Sequence, residues 1–204
     1  IRDAAPFIQT NILGVQNWID ICRERPELLL LHISTDEVYG DLQDDDDAFS
    51  LDSSLCPSNP YSATKAAGDM MILAAVRTHG IRARITRCSN NFGPHQADEK
   101  FWPTVIRNAL QGKQIPIYGS GQQKRDWLFV TNHTDAIESV LASEMIIEKL
   151  GASPELIQHV DDRPGHDWRY ALDSSSARAL GWQPAVGFEE GVEKAVSWYK
   201  ATSQ

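Results

Sequence analysis

The chain has 204 residues, a formal net charge of -9 and a sequence pI near 5.1, with 42% hydrophobic and 23% charged residues. Those are the proportions of a globular domain with enough chain for a real core, and the acidic balance excludes the basic face that nucleic-acid binding requires. No run nears the roughly 18 apolar residues of a membrane span, and no signal-peptide pattern opens the chain. Cys22, Cys56 and Cys88 fit neither a disulfide framework nor a zinc site, so reduced thiols in a cytoplasmic protein are expected.

Between Asp3 and Arg25, apolar residues recur at Ala4, Ile8, Ile12, Val15, Ile19 and Cys22, which predicts a helix. Phe7, Trp18 and Ile21 widen the stripe, so this helix should be covered on more than one side. Pro26 ends it. Leu28–Ile33 then reads as a buried parallel strand leading into Ser34-Thr35-Asp36-Glu37. A helix followed at once by such a strand implies a doubly wound α/β architecture, entered part-way through. The acidic run Asp44–Asp47 lacks calcium-loop spacing and reads as a solvated loop.

Pro57 and Pro60 stiffen the approach to a helix over Tyr61–His79, with Gly80 as its stop. Ala83 and Ile85 alternate with polar residues, predicting a strand that runs towards Cys88-Ser89-Asn90-Asn91-Phe92-Gly93-Pro94. Phe101–Leu110 predicts a short helix, and Ile115–Tyr118 and Trp127–Val130 predict short strands around Gly119-Ser120-Gly121. His133–Ala142 and Met145–Leu150 are helical in pattern, as is Phe188–Tyr199. Between them lies a polar loop, Asp161-Asp162-Arg163-Pro164-Gly165-His166-Asp167. An α/β core over residues 1–94 should thus be followed, over 95–204, by a smaller mixed α/β lobe with some segments returning to the core.

Polar groups just past the carboxyl end of a parallel strand sit where open α/β sheets bind ligands. Tyr61 and Lys65 share one helix face, so a hydroxyl (Thr35), two carboxylates (Asp36, Glu37), a phenol and an amine are expected to converge. A free tyrosine titrates near pH 10, so serving as a base at neutral pH takes about 4 kcal/mol of help, part of which a lysine ammonium supplies. Two carboxyls in one dry cleft cannot both ionise cheaply, and an acid beside a base suits an elimination. Arg125 and the pair Arg163/His166 offer donors suited to a diphosphate, and Tyr118 is a candidate for stacking on a base.

Five ordered motifs together resemble the extended short-chain dehydrogenase/reductase family: Ser34-Thr35-Asp36-Glu37-Val38-Tyr39-Gly40, Pro60-Tyr61-Ser62-Ala63-Thr64-Lys65, Ser89-Asn90-Asn91-Phe92-Gly93-Pro94, Gln122-Gln123-Lys124-Arg125-Asp126-Trp127 and Asp162-Arg163-Pro164-Gly165-His166-Asp167. The last two, with the Thr-Asp-Glu triplet, resemble its dTDP-glucose 4,6-dehydratases. The resemblance implies a Rossmann-like NAD-binding domain and a smaller nucleotide-sugar lobe. It also implies a redox-neutral cycle. Tyr61, helped by Lys65 and Thr35, takes the proton of the glucose C4 hydroxyl while NAD takes the hydride. Glu37 then removes the C5 hydrogen, Asp36 protonates the departing C6 hydroxyl, and the hydride returns to C6.

By the same resemblance Thr10, Tyr61, Lys65 and Asn90 line the NAD site. Substrate contacts fall to Thr35, Asp36, Glu37, Asn91, Lys100, Phe101, Trp102, Pro103, Thr104, Val105, Pro116, Ile117, Tyr118, Arg125, Asp162, Arg163, Pro164, Gly165 and His166. No metal is implied. Family members pair two helices per subunit, here 3–25 and 61–79, which implies a homodimer. The family's opening strand and Gly-rich turn, which hold the dinucleotide pyrophosphate at a helix N-terminus, have no counterpart here, nor does a segment after Ser143. The chain is therefore expected to be part of a longer protein. Other nucleotide-sugar dehydratases, epimerases or decarboxylases remain alternatives, as does a non-catalytic nucleotide-sugar-binding or dimerisation module.

Overall fold

The computed structural model describes residues 3–42, 46–116, 124–150 and 174–202. These fall into two compact units, one built on the chain up to Ser89 and one from Asn90 onwards.

The first unit opens with a helical stretch in three parts: α1 (Ala5–Ile8), a π turn (Gln9–Leu13) and α2 (Gly14–Glu24). The expected helix is present, but the wide π turn inside it was invisible to apolar spacing. Arg25 leaves helical geometry at φ -128°, ψ 80°, just before Pro26, whose ring disfavours a helical residue ahead of it. Strand β1 (Leu29–Thr35) follows, and a single 3-10 turn (Asp36–Tyr39) is set directly on its end.

Helix α3 (Pro60–His79) starts with a full capping box. The Asn59 side chain accepts the Ser62 N–H, the Ser62 hydroxyl accepts the Asn59 N–H, and Pro60 occupies the first turn, where its missing donor costs nothing. It stops at Gly80, which takes the left-handed conformation at φ 67°. Strand β2 (Arg82–Cys88) then pairs parallel to β1 from Leu29↔Arg82 to Thr35↔Cys88. The result is a βαβ unit with α3 as its crossover.

Its core is apolar and shared by three elements: Val15, Ile19 and Cys22 of α2, Ile72 and Ala75 of α3, and Ile81 with Ala83 at β2. Burying Ile72, only 1% exposed, contributes about 1.5–3 kcal/mol. A second cluster of Val38, Tyr39 and Ala66 seats the 3-10 turn on the first half of α3. Gly40 closes this turn at φ 97°, and a Cβ there would collide with the Cys56 carbonyl. The Cys56 N–H in turn donates to the Val38 carbonyl at 3.0 Å.

Two expectations need correction here. The β1 strand is not enclosed on both faces, because Leu29–Leu31 are half-buried and Ile33 is 45% exposed; among the described residues β2 is its one pairing partner. Within the single chain the widened stripe of the first helix is left uncovered at Trp18, 57% exposed, and Ile21, 38% exposed.

The second unit contains β3 (Asn90–Phe92), α4 (Phe101–Leu110), β4 (Trp127–Phe129), α5 (Val130–Leu150), α6 (Ser175–Ala179) and α7 (Phe188–Thr202). Strands β3 and β4 pair in parallel, and Phe92, 1% exposed, stacks on Trp102 and meets Trp127 and Phe129 edge-on. Asn132 pins the segment before α7 by donating to the Val186 carbonyl and accepting the Val186 N–H. The two helices expected over 133–150 are one continuous helix, since Ser143 and Glu144 are ordinary helix residues and no Gly or Pro interrupts the run. Ile115 and Pro116 lie in exposed coil rather than strand, while Ile117 and Tyr118 fall outside the described residues.

Candidate active site at the end of the first strand

The site begins where β1 stops. Thr35 is still extended at φ -145°, ψ 153°, and its hydroxyl accepts the Glu37 N–H at 3.3 Å, so the strand's last residue caps the turn that follows. The same hydroxyl donates to Asp36 Oδ1 at 3.2 Å. Asp36 is 1% exposed, whereas the Glu37 side chain is half-buried. Adjacent carboxyls thus occupy different surroundings, and one backbone turn fixes both.

Helix α3 supplies the phenol and the amine. Tyr61 is half-buried and meets the edge of Phe7 at 5.6 Å between ring centres. Its pKa is raised by burial first, then by the negative charges of Glu37, Cys88 and Asp36. Lys65 donates to the Ile33 carbonyl at 2.7 Å, and burial lowers its pKa. Help from the lysine was expected to depress the phenol. The shift runs the other way, because burial and then the charges of Glu37, Cys88 and Asp36 raise the phenol's pKa, while the ammonium is directed at the Ile33 carbonyl.

That electrostatic bias bears on the cofactor. A half-buried phenol facing two acids is a place where added positive charge is favoured, and oxidised nicotinamide is a cation. Thr35, Tyr61 and Lys65 also present hydroxyl and ammonium donors at the carboxyl end of a parallel strand, the position at which open α/β sheets hold nucleotides. The residues present therefore fit the nicotinamide and ribose half of NAD.

Beneath these groups lies a polar cluster that the sequence reading did not single out. Asp69, fully buried on α3, receives Arg87 Nε of β2 at 2.8 Å and faces His32 Nε2 of β1 at 3.3 Å. Arg87 also donates to the Tyr39 hydroxyl at 2.7 Å and lies over that ring at 5.1 Å. Burial pushes Asp69 upward, but hydrogen bonds from His32, Arg87 and Ser34, together with the Arg87 charge, outweigh it and hold the carboxyl below its ordinary range. The cluster ties both strands, the helix and the 3-10 turn into one frame. A signal existed: Asp69 lies one turn beyond Lys65 on the same helix face, and a charged residue flanked by Ala66, Ala67 and Ile72 seldom stays unpaired.

Asn59 was missed as well. Its amide nitrogen donates to Glu37 Oε2 at 3.3 Å while it caps α3. Thr10 lies exposed in the π turn, whose neighbour Asn11 donates to the Thr64 hydroxyl at 3.0 Å. The Asn11 carbonyl also abuts Gly68, where a Cβ would come within 2.8 Å of it.

The remaining candidates belong to the second unit. Asn90 and Asn91 form β3, with the Asn91 carbonyl accepting Gln96 Nε2 at 2.9 Å. Lys100 is the N-cap of α4; Phe101, Trp102, Pro103, Thr104 and Val105 make its first turns, with Pro103 buried and Phe101 52% exposed. Pro116 is exposed, as is Arg125, whose guanidinium donates to the Lys124 carbonyl. Ile117, Tyr118, Asp162, Arg163, Pro164, Gly165 and His166 lie outside the described residues. No metal-binding group of His, Cys, Asp and Glu occurs among the described residues, and no described helix is long and apolar enough to cross a membrane.

A profile of the NAD dependent epimerase/dehydratase family matches residues 1–148. A dTDP-glucose 4,6-dehydratase of Streptomyces niveus is 39% identical over 98% of this chain and 66% of its own length. A dTDP-glucose 4,6-dehydratase of Neisseria meningitidis serogroup B is 40% identical over 98% of this chain and 68% of its own length. Among solved structures, the dTDP-glucose 4,6-dehydratase of Bacillus anthracis in complex with NAD superposes with a TM-score of 0.80 at 36% identity, covering 99% of this chain and 71% of that one. This chain thus spans about two thirds of the length of the relatives it matches. With its parallel strands, crossover helix and this likeness over almost all its residues, the chain has a Rossmann-like α/β fold and belongs to the NAD dependent epimerase/dehydratase family.

Proposed function

We propose that this chain carries the catalytic centre of an NAD-dependent lyase that converts dTDP-glucose into dTDP-4-keto-6-deoxyglucose. The observation that carries the reading is the 3-10 turn on the end of β1, which sets Asp36 and Glu37 in different surroundings beside Tyr61. Proton transfer to and from two adjacent carbons needs such a pair. Dehydratases at 39–40% identity support the substrate and the reaction.

Bound NAD supplies the redox chemistry, accepting a hydrogen with two electrons from C4 and returning them at C6. Thr35 and Tyr61 hold the C4 hydroxyl, and Tyr61 accepts its proton. Lys65, with burial lowering its pKa, stands at the end of β1 to steady the phenolate and a ribose hydroxyl. The C4 ketone acidifies the C5 hydrogen, which Glu37 removes. Asp36 gives its proton to the C6 hydroxyl, which leaves as water. A proton returned to C5 completes the redox-neutral balance.

Residues 1–94 act as the remainder of the NAD-binding domain, with Thr10 and Asn90 contacting NAD. Residues 95–204 mainly hold the nucleotide sugar, through Lys100–Val105, Pro116–Tyr118, Arg125 and Asp162–His166, with Asn91 beside them. The exposed apolar residues Ile8, Leu13, Trp18 and Ile21, with Met70, Leu73 and Val76 of α3, support a homodimer built on those helices. Three free cysteines fit a cytoplasmic enzyme. The test is incubation of the full-length protein with dTDP-glucose and NAD, followed by detection of a 4-keto product from its absorbance in alkali. A full-length protein that forms none sinks the reading.

A further inference from the structure

We infer that Asn59 is a positioning residue for Glu37, so that one side chain sets both the start of the catalytic helix and the aim of the base. This rests on the proposed reaction, in which Glu37 removes the C5 proton. The two jobs are visible as two hydrogen bonds from one amide. Its oxygen accepts the Ser62 N–H at 3.0 Å, and its nitrogen donates to Glu37 Oε2 at 3.3 Å. Chemistry fixes which atom faces which partner: a backbone N–H needs an acceptor and a carboxylate needs a donor, so the flipped amide would fail both.

As a helix cap alone, position 59 does not call for asparagine. Serine or aspartate would accept the Ser62 N–H as well. Serine is too short to keep that bond and also reach across to Glu37. Aspartate has no donor and would place a second negative charge against Glu37. Asparagine is the capping residue that satisfies the helix with an acceptor and Glu37 with a neutral donor.

The Glu37 backbone is already held from the other side, by the Thr35 hydroxyl at 3.3 Å. The residue is thus gripped at its main chain by the end of β1 and at its side chain by the start of α3. Asn59 stands two residues before Tyr61 and six before Lys65, so any shift of the helix start moves phenol, amine and Glu37 together. A neutral amide donor also orients a carboxylate while leaving it basic, which an ammonium or guanidinium partner would not do.

The experiment compares Asn59→Ser and Asn59→Asp with the unaltered full-length protein, by thermal unfolding and by turnover of dTDP-glucose. Both variants keep a cap, so their midpoints should stay within about 2 °C of the original. Misaiming the base should lower kcat by about tenfold or more, with KM changed less than about twofold. C5 hydrogen exchange with deuterated water should fall in parallel. Variants that turn over within about twofold of the original overturn the inference, leaving Asn59 as a cap only.

A second arm needs no turnover, so it decides the matter even if the proposed reaction fails in the unaltered protein. The Asn59 side-chain amide signal, assigned by its loss in Asn59→Asp, should move on Glu37→Ala and stay in place on Asp52→Asn, a surface control. An amide signal indifferent to Glu37→Ala overturns the inference.

Discussion

Asp69→Ala is the most informative perturbation of the frame beneath the site. Asp69 is completely buried and its main partner, the Arg87 side chain, is 12% exposed. Removing the carboxylate deletes a charge-assisted bond of 2.8 Å and the 3.3 Å contact with His32. It leaves the buried guanidinium its bond to the Tyr39 hydroxyl and its place over that ring, but no carboxylate from α3. A bond of the first kind contributes about 1.5–3 kcal/mol, and stranding a buried charge brings the total cost to about 3–5 kcal/mol. Against a domain stability of about 5–15 kcal/mol, that is about a fifth of the whole at the least. Asp69→Asn, which preserves volume and one acceptor, should lose about half as much.

The carboxyl's folded pKa lies below its unfolded value of 3.8, so the folded state holds fewer protons on it. Its stabilisation is therefore complete above the unfolded value and drains away as pH falls below 3.8 towards the folded one. The assay is urea unfolding at pH 7 and through the acid range, followed by hydrogen exchange of the β1 and β2 backbone amides, which report this unit. Asp69→Asn should flatten the acid limb. An Asp69→Ala protein within about 1 kcal/mol of the original at pH 7 would refute the reasoning, because the pair would then contribute no more than a surface ion pair.

Three other outcomes follow from the same geometry. Gly68→Ala puts a Cβ 2.8 Å from the Asn11 carbonyl, so it should cost about 1–3 kcal/mol in thermal or urea unfolding; an unchanged midpoint would mean the π turn yields freely. Glu37→Gln removes the largest charge acting on Tyr61, so the ultraviolet titration of that phenol should move down in pH, and a midpoint that stays or rises contradicts the assigned cause. Trp18→Glu combined with Leu73→Glu places charges on residues that are 57% and 54% exposed. The double variant should sediment as a monomer without loss of helix content, whereas an unaltered assembly would show that these helices do not form its contact.

The sequence alone determined much about the first unit. Apolar spacing located both long helices and β1 because burial of one face leaves a periodic trace. Pro60 and Gly80 marked the two ends of α3, because a proline is tolerated in a first turn and a left-handed stop favours glycine. The Asn59 cap was not read from the sequence. The order Thr35-Asp36-Glu37, Tyr61, Lys65 singled out candidate reactive groups, because the chemistry open to a side chain is carried by residue identity. The π turn at Gln9–Leu13 left no trace in apolar spacing, and its Asn11 carbonyl abuts Gly68 on α3, a neighbour that linear order does not reveal. The two helices expected over 133–150 form one, α5, since no Gly or Pro at Ser143-Glu144 requires a break.

What only tertiary structure decided is how the groups act on one another. The phenol's pKa moves up rather than down because burial, and after it the charges of Glu37, Cys88 and Asp36, act on Tyr61, while Lys65 donates to the Ile33 carbonyl. Asp69, His32 and Arg87 are unremarkable when read in order and become a buried frame once β1 and β2 pair beneath α3. Asn59 drew no notice in the sequence, and both its cap on α3 and its bond to Glu37 emerge only in space. Residue identity sets what each group can do, whereas distance and burial set its charge, its aim and its neighbours, because electrostatic and hydrogen-bonding energies depend on separations that the linear order does not contain.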